Sequence, residues 1–195
     1  MDALNVDLGG AKNANTQEGR WRICDIAKSA DYRCDLNSGD PLPFTDCSVS
    51  NYYFSHTLEH VAPTNTLTVL REIHRTLQVG GIVRIVVPDI RRGVEFYLKN
   101  PEIFEARKKI LPSFPDGYYP KTPLGYLMSW FMTPDRGDRS GHKMGFDWQT
   151  LKWVLLKAGF IDVRRMDYNV CSSVFAGKDL EKYKLSSLYV EGRKQ

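Results

Sequence analysis

Short apolar runs bounded by Gly, Asp, Asn or Pro recur through the first third of the chain, and each predicts a β-strand: 4–8, 21–26, 32–36 and 51–55. The period then changes. Leu67, Leu70, Ile73 and Leu77 recur at helical spacing and predict a helix over 66–79, with residues 64–66 as capping candidates and Gly80-Gly81 as its stop. Residues 82–87 are aliphatic except for Arg84, which suits a central parallel strand covered by helices on both faces.

Residues 90–148 differ in character, being rich in proline and aromatic residues. One or two amphipathic helices are expected in 90–111 and a short apolar helix in 124–132, with loops at 112–123 and 133–145. We read this stretch as an ordered insertion rather than a linker. Regular patterning resumes at Asp147, a helix cap, followed by Leu151, Val154, Leu155 and Ala158 on one face and Gly159 as the stop. Strands at 161–168 and 187–191 close the pattern. The alternation predicts an α/β fold: a Rossmann-like, largely parallel seven-stranded sheet with flanking helices, its last strand antiparallel, with a helical and loop insertion after strand 5. Only ten residues, 11–20, separate Gly10 from the second strand, so the first crossover helix is expected to be very short or missing.

Length and composition narrow the class. The 195 residues, 42% hydrophobic and 26% charged, suit one domain, 1–195, that includes the 90–148 insertion. Lys plus Arg is 27 against 23 for Asp plus Glu, a mild net charge of +4 spread along the chain, so no nucleic-acid partner is expected. No apolar run approaches the about 18 residues of a membrane span, and no leader is recognised, so a cytoplasmic location is expected. The four cysteines form no Cys-x-x-Cys pair and read as reduced thiols.

In parallel α/β sheets, ligands bind beyond the carboxyl ends of the strands. The residues found there are Gly9-Gly10, Asp25, Asp35, Ser55-His56 and Pro88-Asp89. Glycines after the first strand let a ligand approach the backbone. A carboxylate ending the second strand, Asp25, can accept from both hydroxyls of a ribose, and Asp35 can accept from an adenine amine; equally, both aspartates can simply start turns.

In this order the segments Leu4-Asn5-Val6-Asp7-Leu8-Gly9-Gly10, Cys24-Asp25-Ile26, Asp35, Pro41-Leu42-Pro43-Phe44, Ser55-His56-Thr57-Leu58-Glu59-His60-Val61, Leu70-Arg71-Glu72 and Leu77-Gln78-Val79-Gly80-Gly81 resemble the class I S-adenosylmethionine-dependent methyltransferases of the small "methyltransferase type 11" kind. His142-Lys143, Phe146-Asp147 and Ala158-Gly159-Phe160 resemble the closing segment of that family. The resemblance implies S-adenosylmethionine as cofactor. Its implied binding set is Asp7, Gly9, Gly10, Asp25, Asp35, Leu36, Ser55 and His56: the glycines lie under the methionine part, Asp25 holds the ribose, Asp35 faces the adenine, and Ser55 and His56 border the sulfonium. The acceptor is expected to be a small molecule or glycan, held by the 90–148 region, in which Tyr118, Tyr119, Tyr126, Trp130, Phe131, Arg136 and Arg139 either contact it or form a small subcore. The loop 133–145 is a candidate lid.

Because a sulfonium is already a strong electrophile, alignment supplies most of the acceleration, and a base matters only if the acceptor must lose a proton early. His56 and His142 are the candidate catalytic residues, each with a packing role as its alternative. The glycine loop departs from the family's usual Asp-x-Gly-x-Gly, since Gly10 follows Gly9 directly, and Lys12, Asn13 or Asn15 would have to close the cofactor site. This departure motivates an alternative, a degenerate binding domain without turnover. A second rival is a zinc hydrolase, because His56-Thr57-Leu58-Glu59-His60 spells H-x-x-E-H; that site needs a helix, and Pro63 follows too closely, so no metal is expected. Dinucleotide oxidoreduction fits less well, since G-x-G-x-x-G is absent.

Overall fold

The computed structural model describes residues 3–10, 20–99, 122–133 and 141–195. Seven strands form one sheet: β1 (Asn5–Leu8), β2 (Trp21–Asp25), β3 (Tyr32–Arg33), β4 (Val49–Ser55), β5 (Leu77–Pro88), β6 (Ile161–Met166) and β7 (Ser187–Arg193). Their order is β3-β2-β1-β4-β5-β7-β6. The pairs from β3 to β5 are parallel, and β7 runs antiparallel between β5 and β6. This is the expected Rossmann-like arrangement, with the order reversing between β1 and β4. The first crossover, 11–19, lies outside the described residues.

Helices α1 (Pro63–Thr76) and α4 (Trp148–Ala158) cover one face. Val69, Leu70 and Ile73 of α1 and Leu151, Val154 and Leu155 of α4 pack with Tyr52 and Phe54 of β4, Val83, Ile85 and Val87 of β5, and Leu188 and Val190 of β7. The strand residues alternate, as one face of a pleated sheet requires. α4 begins and ends as its sequence predicts: Asp147 Oδ1 accepts from Thr150 N–H at 2.8 Å, and Gly159 takes the left-handed conformation at φ 105°.

Three expectations are corrected. α1 stops at Thr76, and Leu77 opens a twelve-residue strand, so Gly80-Gly81 lies inside β5. Pairing of Leu77 with Val49, and hydrogen bonds that tie Gly80 and Gly81 to Lys194, outweigh the continued helical periodicity. The cap of α1 is Ala62 with Pro63 in the first turn, not residues 64–66. β3 is only two residues long, because Asp35 Oδ1 accepts from Asn37 N–H and turns the chain.

The second face is the larger departure. Where helices were expected, the connection between β6 and β7 lies across it. Phe175 packs with Trp21, Tyr53, Val86 and Tyr189, the residues that alternate with the first-face core. Around this patch is a buried ionic network. Arg84, fully buried, meets Asp179 at 2.5 Å and Glu191 at 3.0 Å, and Lys178 meets Asp7 at 2.5 Å. Arg84 thus breaks the aliphatic run because it faces a polar, loop-covered side of the sheet.

After β5, α2 (Ile90–Lys99) and α3 (Pro123–Phe131) pack together. Tyr126 and Trp130 are buried there, with the Trp130 ring edge-on to Phe96 and its edge against Gly93, so the subcore reading holds for both. Tyr118, Tyr119, Arg136 and Arg139 lie outside the described residues. Both ends of the insertion return to one point, where Asp89 bridges Phe146 and Ile90 N–H donates to Phe146 O at 3.0 Å. No helix among the described residues is long and apolar enough to cross a membrane.

Candidate functional site

At the switch in strand order, the carboxyl ends of β1, β2 and β4 open onto a cavity of about 480 Å³, open solvent included, lined among others by Gly9, Asp25, Asp35, Leu36, Thr57 and His60. Gly9 has φ 78°, and a Cβ there would stand 2.2 Å from the Thr57 side chain. The glycine is therefore required twice, by its dihedral and by the close approach of the turn after β4. Asp25 Oδ1 accepts from Ala27 N–H at 2.8 Å, and Asp35 Oδ1 from Asn37 N–H at 3.0 Å. Both aspartates thus start turns, and those turns hold their carboxyl groups at the cavity wall.

A second hollow of about 600 Å³ lies behind the same wall and shares Cys34, Asp35 and Leu36 with the first. Its floor is set by the 41–44 loop, which α1 anchors: Leu42 N–H donates to Glu72 Oε2 at 2.9 Å, and Arg75 donates to the Leu42 and Phe44 carbonyls. The Arg75 guanidinium holds the Glu72 carboxyl below its ordinary range.

Of the expected cofactor set, Gly9, Asp25, Asp35 and Leu36 line the cavity, whereas Asp7, Gly10, Ser55 and His56 do not. Asp7 is buried and paired to Lys178; burial raises its carboxyl in spite of that lysine. Gly10 packs against Asp7, where a Cβ would stand 2.5 Å from the carboxyl. Residues that the sequence reading passed over include Asn37, whose side chain accepts from Ala62 N–H at 2.7 Å and donates to His60 O at 3.2 Å, fastening the end of β3 to the turn after β4. The turn-forming run Asn37-Ser38-Gly39-Asp40 after Asp35 was the available signal. Cys24 and Cys34 also line the wall as free thiols.

His56 has φ 50° and sits just beyond β4, its N–H bonded to Val86 O. Both ring nitrogens have neighbours: Nε2 is 2.8 Å from Ser187 Oγ, and Nδ1 is 3.2 Å from Glu59 Oε1. Its ring stacks on Tyr183 with centroids 3.5 Å apart. Residues Leu58–His60 form a single 3-10 turn, not the helix body that an H-x-x-E-H zinc site needs, so His56 and His60 do not pair as ligands one helical turn apart. Glu59 is instead the centre of a histidine cluster. It is 1% exposed; burial pushes its carboxyl up, but His56, His60 and His142 outweigh that and hold it below the ordinary range. His142 comes from the far end of the insertion, its ring at 70° and 4.8 Å from that of His60. The Lys143 and Met144 N–H groups both donate to Glu59 O, which clamps this segment to the turn. Burial lowers the His142 pKa.

Residues 7–85 match the family model described as "Methyltransferase domain". A comparison with curated protein sequences finds no match. Among solved structures, a SAM-dependent methyltransferase from Methanosarcina mazei has a TM-score of 0.58 at 14% identity, covering 100% of this chain and 93% of that one. One from Mesorhizobium loti has a TM-score of 0.56 at 17% identity, covering 99% and 91%. The Burkholderia thailandensis 1,6-didemethyltoxoflavin-N1-methyltransferase, solved with 1,6-didemethyltoxoflavin and S-adenosylhomocysteine, has a TM-score of 0.54 at 17% identity, covering 99% and 71%. At these identities the likeness is one of fold.

Proposed function

We propose that this chain, which has the fold of the class I S-adenosylmethionine-dependent methyltransferases and matches a methyltransferase domain over residues 7–85, binds S-adenosylmethionine in the cavity at the ends of β1, β2 and β4. There it transfers the methyl group to a small-molecule or glycan-type acceptor. The observation that carries this reading is the lining of that cavity at the switch point: a glycine that admits no Cβ beside two strand-end carboxylates on adjacent strands. In this reading Gly9 leaves room for the methionine part, Asp25 accepts from the ribose hydroxyls, and Asp35 with Leu36 borders the adenine. Asp7 and Gly10 act from behind by fixing the turn, and Ser55 and His56 act by fixing Thr57 and Glu59.

The bound sulfonium would supply the electrophile, and the chain's own task is alignment and exclusion of water. We assign the acceptor side to 90–148 within a single domain, 1–195. The support is that both ends of this segment meet at Asp89 and Phe146 and that it delivers His142 to the turn beside the cavity. Release of S-adenosylhomocysteine across a panel of small-molecule and glycan acceptors tests the assignment. Acceptor-dependent release is expected; tight cofactor binding with no release from any acceptor would favour a binding domain instead.

A further inference from the structure

The Glu59 cluster gathers the donor atoms of a cation site. One ligand-capable atom each from Glu59, His60 and His142 lies within 4.8 Å of the others. Neither Glu59 oxygen has a hydrogen-bond partner among the described residues; the nearby His56 Nδ1, 3.2 Å from Oε1, does not make an aligned bond. His60 Nδ1 is 3.1 Å from Gly141 O, so it carries the proton and leaves Nε2 with a lone pair. His142 is hydrogen-bonded to the backbone of Trp130, while its Nδ1 is buried and without a partner, so that nitrogen carries the lone pair. Two imidazole lone pairs and a buried carboxylate thus converge beside the cavity, with His56 Nδ1 as the nearby donor to the carboxylate. The Glu59 oxygens and His142 Nδ1 are buried acceptors without an aligned partner, a costly state that a cation held with His60 resolves.

We propose that Glu59, His60 and His142 bind one divalent transition-metal ion, with zinc as the ion that the N,N,O donor set suits. Each histidine donates its other nitrogen to a backbone carbonyl, the outer contact that fixes the tautomer of a metal-ligating imidazole. His56, beside Glu59 Oε1, is a positioning residue for the carboxylate. Tetrahedral zinc with bonds of about 2.0–2.1 Å sets ligand atoms about 3.3 Å apart, so binding would draw the three side chains together from their present spread of up to 4.8 Å. Three protein ligands leave a position for water or for an oxygen or nitrogen of a substrate. The ion would staple the His142 segment to the 3-10 turn whose His60 lines the cavity. This differs from the H-x-x-E-H reading, since His142 replaces His56 as the second imidazole.

The test does not require methyl transfer. The full chain is expressed with zinc in the medium, dialysed without chelator and assayed by mass spectrometry for metal. About one zinc per chain is expected, and Glu59→Gln and His142→Ala should each retain less than about a tenth of it. Chelator treatment should lower the melting temperature of the wild-type protein, zinc should restore it, and Co²⁺ added to the stripped protein should give visible ligand-field bands that His142→Ala lacks. Less than about a tenth of an ion per chain together with no Co²⁺ spectrum in the wild-type protein would overturn the proposal, as would undiminished metal in both variants. Cofactor binding, measured separately on the stripped protein, distinguishes failure of this site from failure of the methyltransferase reading.

Discussion

Lys178 Nζ lies 2.5 Å from Asp7 Oδ2 across the second face of the sheet, and both side chains are almost wholly buried. The lysine also stands 4.8 Å over the rings of Trp21 and Tyr53. The β6–β7 connection is thus joined to β1, two residues before the turn glycine of the cavity, Gly9. Lys178→Met leaves the Asp7 carboxylate buried without its cation and should cost about 3–5 kcal/mol in a urea denaturation. Arg91→Ala, which breaks the exposed pair with Glu95, should stay within about 0.5 kcal/mol. Equal losses in the two variants would contradict this account of the second face.

Phe175 makes the apolar half of the same contact. It is fully buried against Trp21 and Tyr53, with ring centroids 5.7 and 6.4 Å away. Phe175→Ala should destabilise the protein by about 3–5 kcal/mol and expose the 167–186 segment to protease before α4 is cut. A stability unchanged from wild type would show that this segment is not what covers the sheet.

Gly9 couples fold to site. Gly9→Ala places a Cβ against Thr57 in a backbone conformation that L-residues avoid, so both stability and cofactor affinity should fall. Adding Thr57→Gly removes the collision but not the dihedral penalty, and should restore only part of the melting temperature. Full restoration would mean that the positive φ contributes nothing.

Asp147 gives a pH dependence with a definite sign. Hydrogen bonding from Thr150 to its carboxylate holds its pKa below the ordinary value in the folded state. Its contribution is present above the unfolded pKa and is lost as pH falls through the folded one. Asp147→Ala should cost about 1 kcal/mol near neutral pH. Asp147→Asn should cost less there, and its urea midpoint should fall less than that of the wild type below about pH 4. Parallel falls in the two proteins would remove Asp147 as a source of acid sensitivity.

What the sequence made legible follows the range of each interaction. The order of strands along the chain, the α4 cap and the antiparallel last strand rest on short-range periodicity and turn chemistry and stand as read, whereas the lengths of β3 and β5 do not; Gly9, Asp25, Asp35 and Leu36 lie at the cavity wall, and their part in cofactor binding is a proposal. The end of α1 was misplaced because Leu77 continues the helical period, while strand pairing to Val49, far away in the chain, decides the outcome. The cover of the second face was hidden because Phe175 and Lys178 sit in a segment with no periodicity of its own. His142 was singled out as a titratable loop residue, but its approach to His60 and Glu59 depends on how the insertion returns to the sheet, which no local pattern encodes.

The central claim is that the cavity at the strand ends holds S-adenosylmethionine through Asp25. Calorimetric titration of the wild-type chain and of Asp25→Ala with S-adenosylhomocysteine tests it most directly. Saturable binding near one ligand per chain is expected for the wild type, weakened at least about tenfold in the variant, a loss of about 1.4 kcal/mol or more. Absence of binding at high micromolar ligand, or an affinity unchanged by the substitution, would contradict the account.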